Sequence, residues 1–296
     1  MTHKNRRFIA VDILLLVLAV LPLVAGMVLK ALFNSPAEGI SVSGALVYFT
    51  IPMPLQDLPI TEALVNSSLV ILSVFWLCLY LTHGIAAKPQ TRRQLIVEWA
   101  LEKAQGLVSA NMDVYFKGFA PFIMSIMVLS AFSSLLALLG LYAPTADLNI
   151  VGGWAILVFL LITYYKMKCG PVHYLKSFCD HVLLAPLNVI SEVATPISMA
   201  FRHYGNVLSG AVIGILVATG LQGLSSLLLG WLPGVLGEFP LLQIGLPAIL
   251  SLYFDLFSGG LQAFIFAMLT MLYISSGFPA DDYAARKQKK QRLKQQ

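Results

Sequence analysis

Charge is what this chain has least of. Lys, Arg, Asp and Glu make up 11% of its 296 residues, against 58% hydrophobic residues and a mean hydropathy of +0.82. An ordinary soluble domain carries about 25% charged residues, so that class is excluded and an integral membrane protein is indicated. Cysteine is scarce too. Cys78, Cys169 and Cys179 are odd in number and scattered, which excludes a disulfide framework. Cys169, His173, Cys179 and His181 fall close together, but their spacing follows no usual zinc pattern and they are read as incidental. There is no Gly-x-x-x-x-Gly-Lys loop, no His-Glu-x-x-His and no pair of aspartates on neighbouring spans. Nucleotide chemistry and the common intramembrane hydrolases are therefore not supported. A secondary transporter would show internal repeats with broken helices in both halves, whereas mid-membrane charge here lies in the second half.

Long apolar runs are what the chain has instead. Spans are expected at 8–33, 62–84, 119–142 and 153–165, followed by two longer helices at 182–219 and 245–276. The first run follows the basic MTHKNRR and is longer than the apolar core of about 7–15 residues in a secretory signal, so it is read as a span. Residues 34–61 hold Pro36, Pro52, Pro54 and Pro59 with no lysine or arginine, which predicts an outer loop. Arg92, Arg93, Glu98, Glu102 and Lys103 lie on an amphipathic stretch expected at the inner surface, either as a stalk-binding face or as a plain interfacial helix. Residues 182–219 would make a helix about 57 Å long, too long to stand upright in a core of about 30 Å, so strong tilt is expected. The fold class is thus all-α and integral to the membrane, with about six embedded segments and the last two long and tilted.

Charge placement orients this plan. All lysines and arginines except Lys30 and Arg202 fall in segments expected on the inner side, and the basic tail within 283–296 agrees. Both termini are then cytoplasmic. The tail and the pI of about 9.1 are read as a topology anchor, not as a nucleic-acid site.

Arg202 is the exception that asks for a function. An arginine at mid-membrane costs about 2.5–3.5 kcal/mol on translocon-type scales, so it faces protein or a wet cavity. Ser198, Arg202 and Asn206 are four apart and share a helical stripe, with Gly205, Ser209 and Gly210 beside them. About sixty residues on, Asp255, Ser258, Gly259 and Gln262 share another such stripe. The plain alternative for each is helix–helix hydrogen bonding through small residues, which does not account for Arg202. Glu192 is a further intramembrane acid, nearly three turns before Arg202.

The runs PLNVISEVATPISMAFRHYGNVLSG and GGLQAFIFAMLTMLYIS resemble the two signature helices of the a subunit of F-type ATP synthases of the bacterial type. LPITEALVNSSLVILSVFWLCLYLTHGI, TRRQLIVEWALEKAQGLV and LLGLYAPTADLN extend the resemblance over Pro52 to Gly277. It implies a stator ion channel in the bacterial plasma membrane. The last two helices would form a hairpin facing the rotor ring of c subunits, with the b-subunit stalk and lipid as further partners. The chain would be non-catalytic on its own and free of cofactors, passing H+ or Na+ through two offset half-channels. The essential arginine of the family falls on Arg202, its asparagine on Asn206 and its glutamine on Gln262. Ser198, Gly205, Ser209 and Gly210 would then let the rotor approach.

Two departures from the family are visible. Many bacterial members carry a glutamate where this chain has Ala211, and often a histidine where it has Asp255, so the acid is read as transferred to the facing helix. Asp255 becomes the candidate for the outer channel. Glu192 is a second relay candidate, with a static partner or a backbone cap as its alternative. His203 and Tyr204 stand where Leu-Phe is usual, and His203 is read first as a hydrogen-bonded helix contact and second as a relay.

Overall fold

The computed structural model describes residues 3–33, 44–54, 56–86, 91–170, 174, 185–229, 231, 242, 245–280 and 283. His173, Cys179, His181 and the basic run from Arg286 lie outside the described residues. Among the described residues, six helices are long and apolar enough to cross a membrane. Inside a bilayer no water satisfies a free N–H or C=O, so unbroken apolar runs close their hydrogen bonds within helices.

The first helix, α1 (His3–Phe33), lies against α2 (Glu62–Thr82). Between them Val47–Ile51 (β1) and Leu58–Thr61 (β2) pair antiparallel, with Val47 opposite Thr61 and Ile51 opposite Leu58. This ribbon departs from the loop that prolines and missing charge predict. Its strands read Val-Tyr-Phe-Thr-Ile and Leu-Pro-Ile-Thr, β-branched and aromatic enough to pair, and Pro52 and Pro54 fall in the connection where they cost no ladder bond. Thr61 then caps α2, its hydroxyl oxygen accepting from Leu64 N at 3.3 Å.

Thr91 caps α3 (Arg92–Asn111) in the same way, accepting from Gln94 N. A 3-10 turn (Val114–Phe119) leads into α4 (Ala120–Leu135), which tightens into a 3-10 turn at Leu136–Leu139 and stops at Gly140. Gly140 has φ +73°, a left-handed conformation that glycine adopts without strain. Asp147 caps α5 (Leu148–Lys166), accepting from Asn149 N at 2.9 Å.

The longest element is α6 (Ala185–Leu229), 45 residues with Pro196 inside. The run from Gly220, rich in Gly and Leu, reads as a continuation of the helix before a turn, and α6 runs through Gly220 and Gly223 to Leu229. At about 1.5 Å per residue it spans about 68 Å, more than twice a hydrocarbon core of about 30 Å. The last membrane segment is compound: α7 (Leu246–Ser251), a π-helical stretch (Leu252–Ser258) and α8 (Gly259–Gly277).

The main core joins Val108 of α3 and Met112 just past its end, Ile123 of α4, Val158 and Ile162 of α5, Met199 of α6 and Phe266, Met271 and Ile274 of α8. Since lipid tails are as apolar as these side chains, close packing holds such a core more than the hydrophobic effect does. Gly259 shows how close: a Cβ there would come within 2.6 Å of Ser134 Cβ.

Ion pairs fasten both ends of α1. Asp12 Oδ1 lies 3.1 Å from Arg93 Nη1 and 2.9 Å from His83 Nδ1, and Arg93 also donates to the His83 carbonyl. At the other end Lys30 Nζ lies 3.3 Å from Glu62 Oε1 and donates to the Gly140 carbonyl at 2.7 Å. Glu62, 2% exposed, also accepts from Tyr142 N, while Asn66 Nδ2 donates to the Tyr142 carbonyl. A buried carboxylate with this many donors is compatible with the apolar surroundings that would otherwise expel it.

Candidate functional site

The site is built where α6 meets the π stretch and α8. On α6 one face turns inward: Met199, Ala200, His203 and Gly210 are buried. The adjoining face, about 100° round the helix from His203, carries Ser198, Arg202 and Ser209, all exposed, with Gly205 half-buried at its edge. Arg202 makes no hydrogen bond or ion pair among the described residues. Ser209 turns its hydroxyl back on the helix, donating to the Gly205 carbonyl, so this stripe stays low in relief.

The single stripe that helical spacing predicts is thus divided. Asn206 is half-buried and accepts from Ser258 Oγ at 2.9 Å, which joins α6 to the π stretch. Gly210 sits under Phe254, where a Cβ would come within 2.9 Å of the phenyl side chain. Its missing side chain lets two helices of this chain approach each other. Gln262 is buried on α8, one turn beyond Gly259, and does not bond the Arg202 guanidinium.

Asp255 lies half-buried in the π stretch, next to Phe254 and hence close to the Gly210–Ala211 turn of α6. Neither its class of helix nor this proximity has a spacing signature in the sequence. Single π turns inside α-helices recur at functional sites because the wider turn re-aims the side chains that follow.

Glu192 is elsewhere, two to three turns before Arg202. Its Oε2 lies 2.6 Å from Lys166 Nζ, and its Oε1 accepts from Tyr174 OH at 3.3 Å. Together with Thr195, Tyr273 and Ser276 it lines a cavity of about 110 Å³. That is polar and roomy enough for several waters, at about 10–15 Å³ of probe-occupied volume each.

His203, beside the arginine, is fully buried. Its Nε2 lies 3.2 Å from Ser130 Oγ, its Nδ1 has no partner among the described residues, and its ring meets Phe266 edge-on with centroids 5.6 Å apart. Ser130 was not singled out by sequence, since a serine in an apolar run carries no signal of what it faces.

These features define a multi-pass helical membrane protein that pairs most of its embedded charges internally and leaves one arginine open. A family model described as ATP synthase A chain matches residues 64–275. The chain is 32% identical over 213 residues to ATP synthase subunit a of Desulforamulus reducens, covering 70% of this chain and 74% of that one. It is 33% identical over 220 residues to ATP synthase subunit a of Priestia megaterium, covering 70% and 87%, and 26% identical over 242 residues to that of Legionella pneumophila, covering 81% and 95%. The chain belongs to the ATP synthase A chain family. It is a subunit of the membrane sector of an F-type ATP synthase.

Proposed function

We propose that this chain is the stator ion channel of its ATP synthase, coupling passage of H+ or Na+ to rotation of a c-subunit ring. The observation that carries this reading is Arg202, exposed on a stripe of small residues and without an ion-pair partner among the described residues, while Asp12, Lys30 and Glu192 are paired. A guanidinium keeps its charge throughout the physiological range and cannot serve as a proton carrier. Left open, it attracts a carboxylate on a passing partner, favours its ionised form and so promotes release of the bound ion. The same charge repels a cation and blocks direct passage from one half-channel to the other.

Asp255 is the group that hands ions to the rotor from the outer half-channel, and its place next to Phe254, which packs on Gly210, supports the transfer of that role to the facing helix. Glu192 serves the inner half-channel through the cavity it lines, beside Lys166. The salt bridge favours a second reading of Glu192 as a fastening between α5 and α6. Asn206 sets the spacing of α6 from the π stretch, and Gln262 supports the wall behind the arginine. Gly205, Ser198 and Ser209 leave room for the rotor, and the b-subunit stalk and lipid meet other surfaces. The chain does no bond-making chemistry of its own and needs no cofactor. It lies in the bacterial plasma membrane with the Arg93 and Lys166 ends inside.

The test is ATP-driven ion pumping in vesicles carrying Arg202→Ala, with assembly of the complex checked in parallel. Assembled complexes that do not pump are expected. Normal pumping would remove Arg202 from the mechanism.

A further inference from the structure

We infer that His203 is a positioning residue for Arg202: held in the interior by three helices, it fixes the rotation of α6 that keeps the guanidinium on the open face. The inference rests on reading Arg202 as the coupling charge. Successive residues of an α-helix point about 100° apart, so fixing the direction of one fixes that of its neighbour.

The ring of His203 has contacts from three elements. Ser130 of α4, itself fully buried, lies 3.2 Å from Nε2. Phe266 of α8 and Trp154 of α5 present their rings nearly perpendicular to it, at 84° and 71°, with centroids 5.6 and 6.3 Å away. Among the described residues Nδ1 has no partner, so rotating α6 away from Ser130 would cost this buried ring the hydrogen bond it makes there.

Apolar side chains supply that preference only weakly in this chain. Val193, Ile197 and Phe201 lie exposed on α6, whereas Met199 and Ala200 lie buried. In water such a helix would be driven to turn over, but against lipid an exposed phenylalanine costs little, and apolar packing sets helix rotation weakly. A buried polar side chain with a fixed partner sets it more sharply, as single buried polar residues do for helix register in coiled coils. His203 is placed to do this one residue from the charge whose direction matters. Gly210 under Phe254, seven residues on and on the same face, extends the same register along the helix.

The experiment uses whole complexes in vesicles and reads assembly, ATP hydrolysis and ions pumped per ATP hydrolysed. His203→Leu removes the hydrogen bond at similar bulk, Ser130→Ala removes the partner, and His203→Gln keeps a polar group in reach of it. Pumping per ATP is expected to fall roughly ten- to hundredfold in assembled His203→Leu, the scale on which ångström misplacements act. Ser130→Ala should lower it several-fold, and His203→Gln should regain at least half. A purely structural role would lower assembly and leave pumping per assembled complex unchanged, which would overturn the proposal. If His203→Leu does not assemble, Ser130→Ala decides: unchanged pumping in its assembled complexes overturns the proposal, and reduced pumping supports it. Arg202→Ala runs alongside. Normal pumping there defeats the coupling reading itself, whereas an Arg202→Ala that does not pump beside a fully active His203→Leu defeats the positioning role alone.

Discussion

The two ends of α1 and the middle of α6 treat embedded charge in opposite ways. Asp12 and Lys30 lie in an otherwise apolar helix, and each is matched within the chain, by Arg93 with His83 and by Glu62. Arg202 lies in an equally apolar helix and is matched by nothing among the described residues. Matched charges hold helices in register, and breaking such a pair leaves one member stranded. An unmatched charge holds nothing within the chain. It is available to something that arrives.

That contrast can be broken from either side. The largest effect is expected from giving Arg202 an internal partner. Ser198→Asp places a carboxylate four residues before it on the same exposed stripe, the acid-first spacing that favours an intrahelical pair. Pumping should fall at least about tenfold although the arginine is intact, since about 1.4 kcal/mol of competing attraction is a factor of ten. Ser198→Asn, similar in shape and neutral, should pump nearly normally in the same vesicle assay. Asp255→Asn comes next. It should slow ion access several-fold without dissociating the complex, and unchanged coupled pumping would take Asp255 out of the pathway.

The matched charges should behave in reverse, losing stability before function. Lys30→Met strands the buried Glu62 and is expected to cost up to about 3 kcal/mol, read as a lowered unfolding midpoint in detergent, with pumping per assembled complex retained. Lys30→Met combined with Glu62→Gln should recover part of the loss. Glu192→Gln is the smallest case. Its partner Lys166 is partly exposed, so the pair is worth about 1 kcal/mol or less, and any fall in pumping beyond that loss of stability marks Glu192 as a relay.

Much of this plan is legible from the residues alone. Apolar runs of membrane length announce the spans, and Arg202 stands out because an arginine there needs a reason. What pairs with what is another matter. Asp12 and Lys30 read as flanking charges, because Arg93 and Glu62 are distant in sequence and no local period connects them. The π stretch is silent for a similar reason: Leu-Tyr-Phe-Asp-Leu-Phe-Ser satisfies an α pattern equally well, and packing of Phe254 over Gly210 accompanies the wider turn. Helical spacing places Asn206 with Arg202, whereas α6 turns Asn206 toward Ser258, a choice made by the facing helix. Gly220 and Gly223 do not end α6, since in lipid an unbroken ladder outweighs the entropy that glycine costs a helix.

The clamps at the ends of α1 also bear on how the protein is made. Both sets of ion-pair partners, Asp12 with His83 and Arg93, and Lys30 with Glu62, lie within the first 93 residues. As the chain leaves the ribosome, α1 and α2 can settle into the bilayer as a matched unit before α6 has been synthesised. Asp12 and Lys30 would then be neutralised while few other helices are present to shelter them. Arg202, on α6, enters later, alongside a frame whose own charges are already matched.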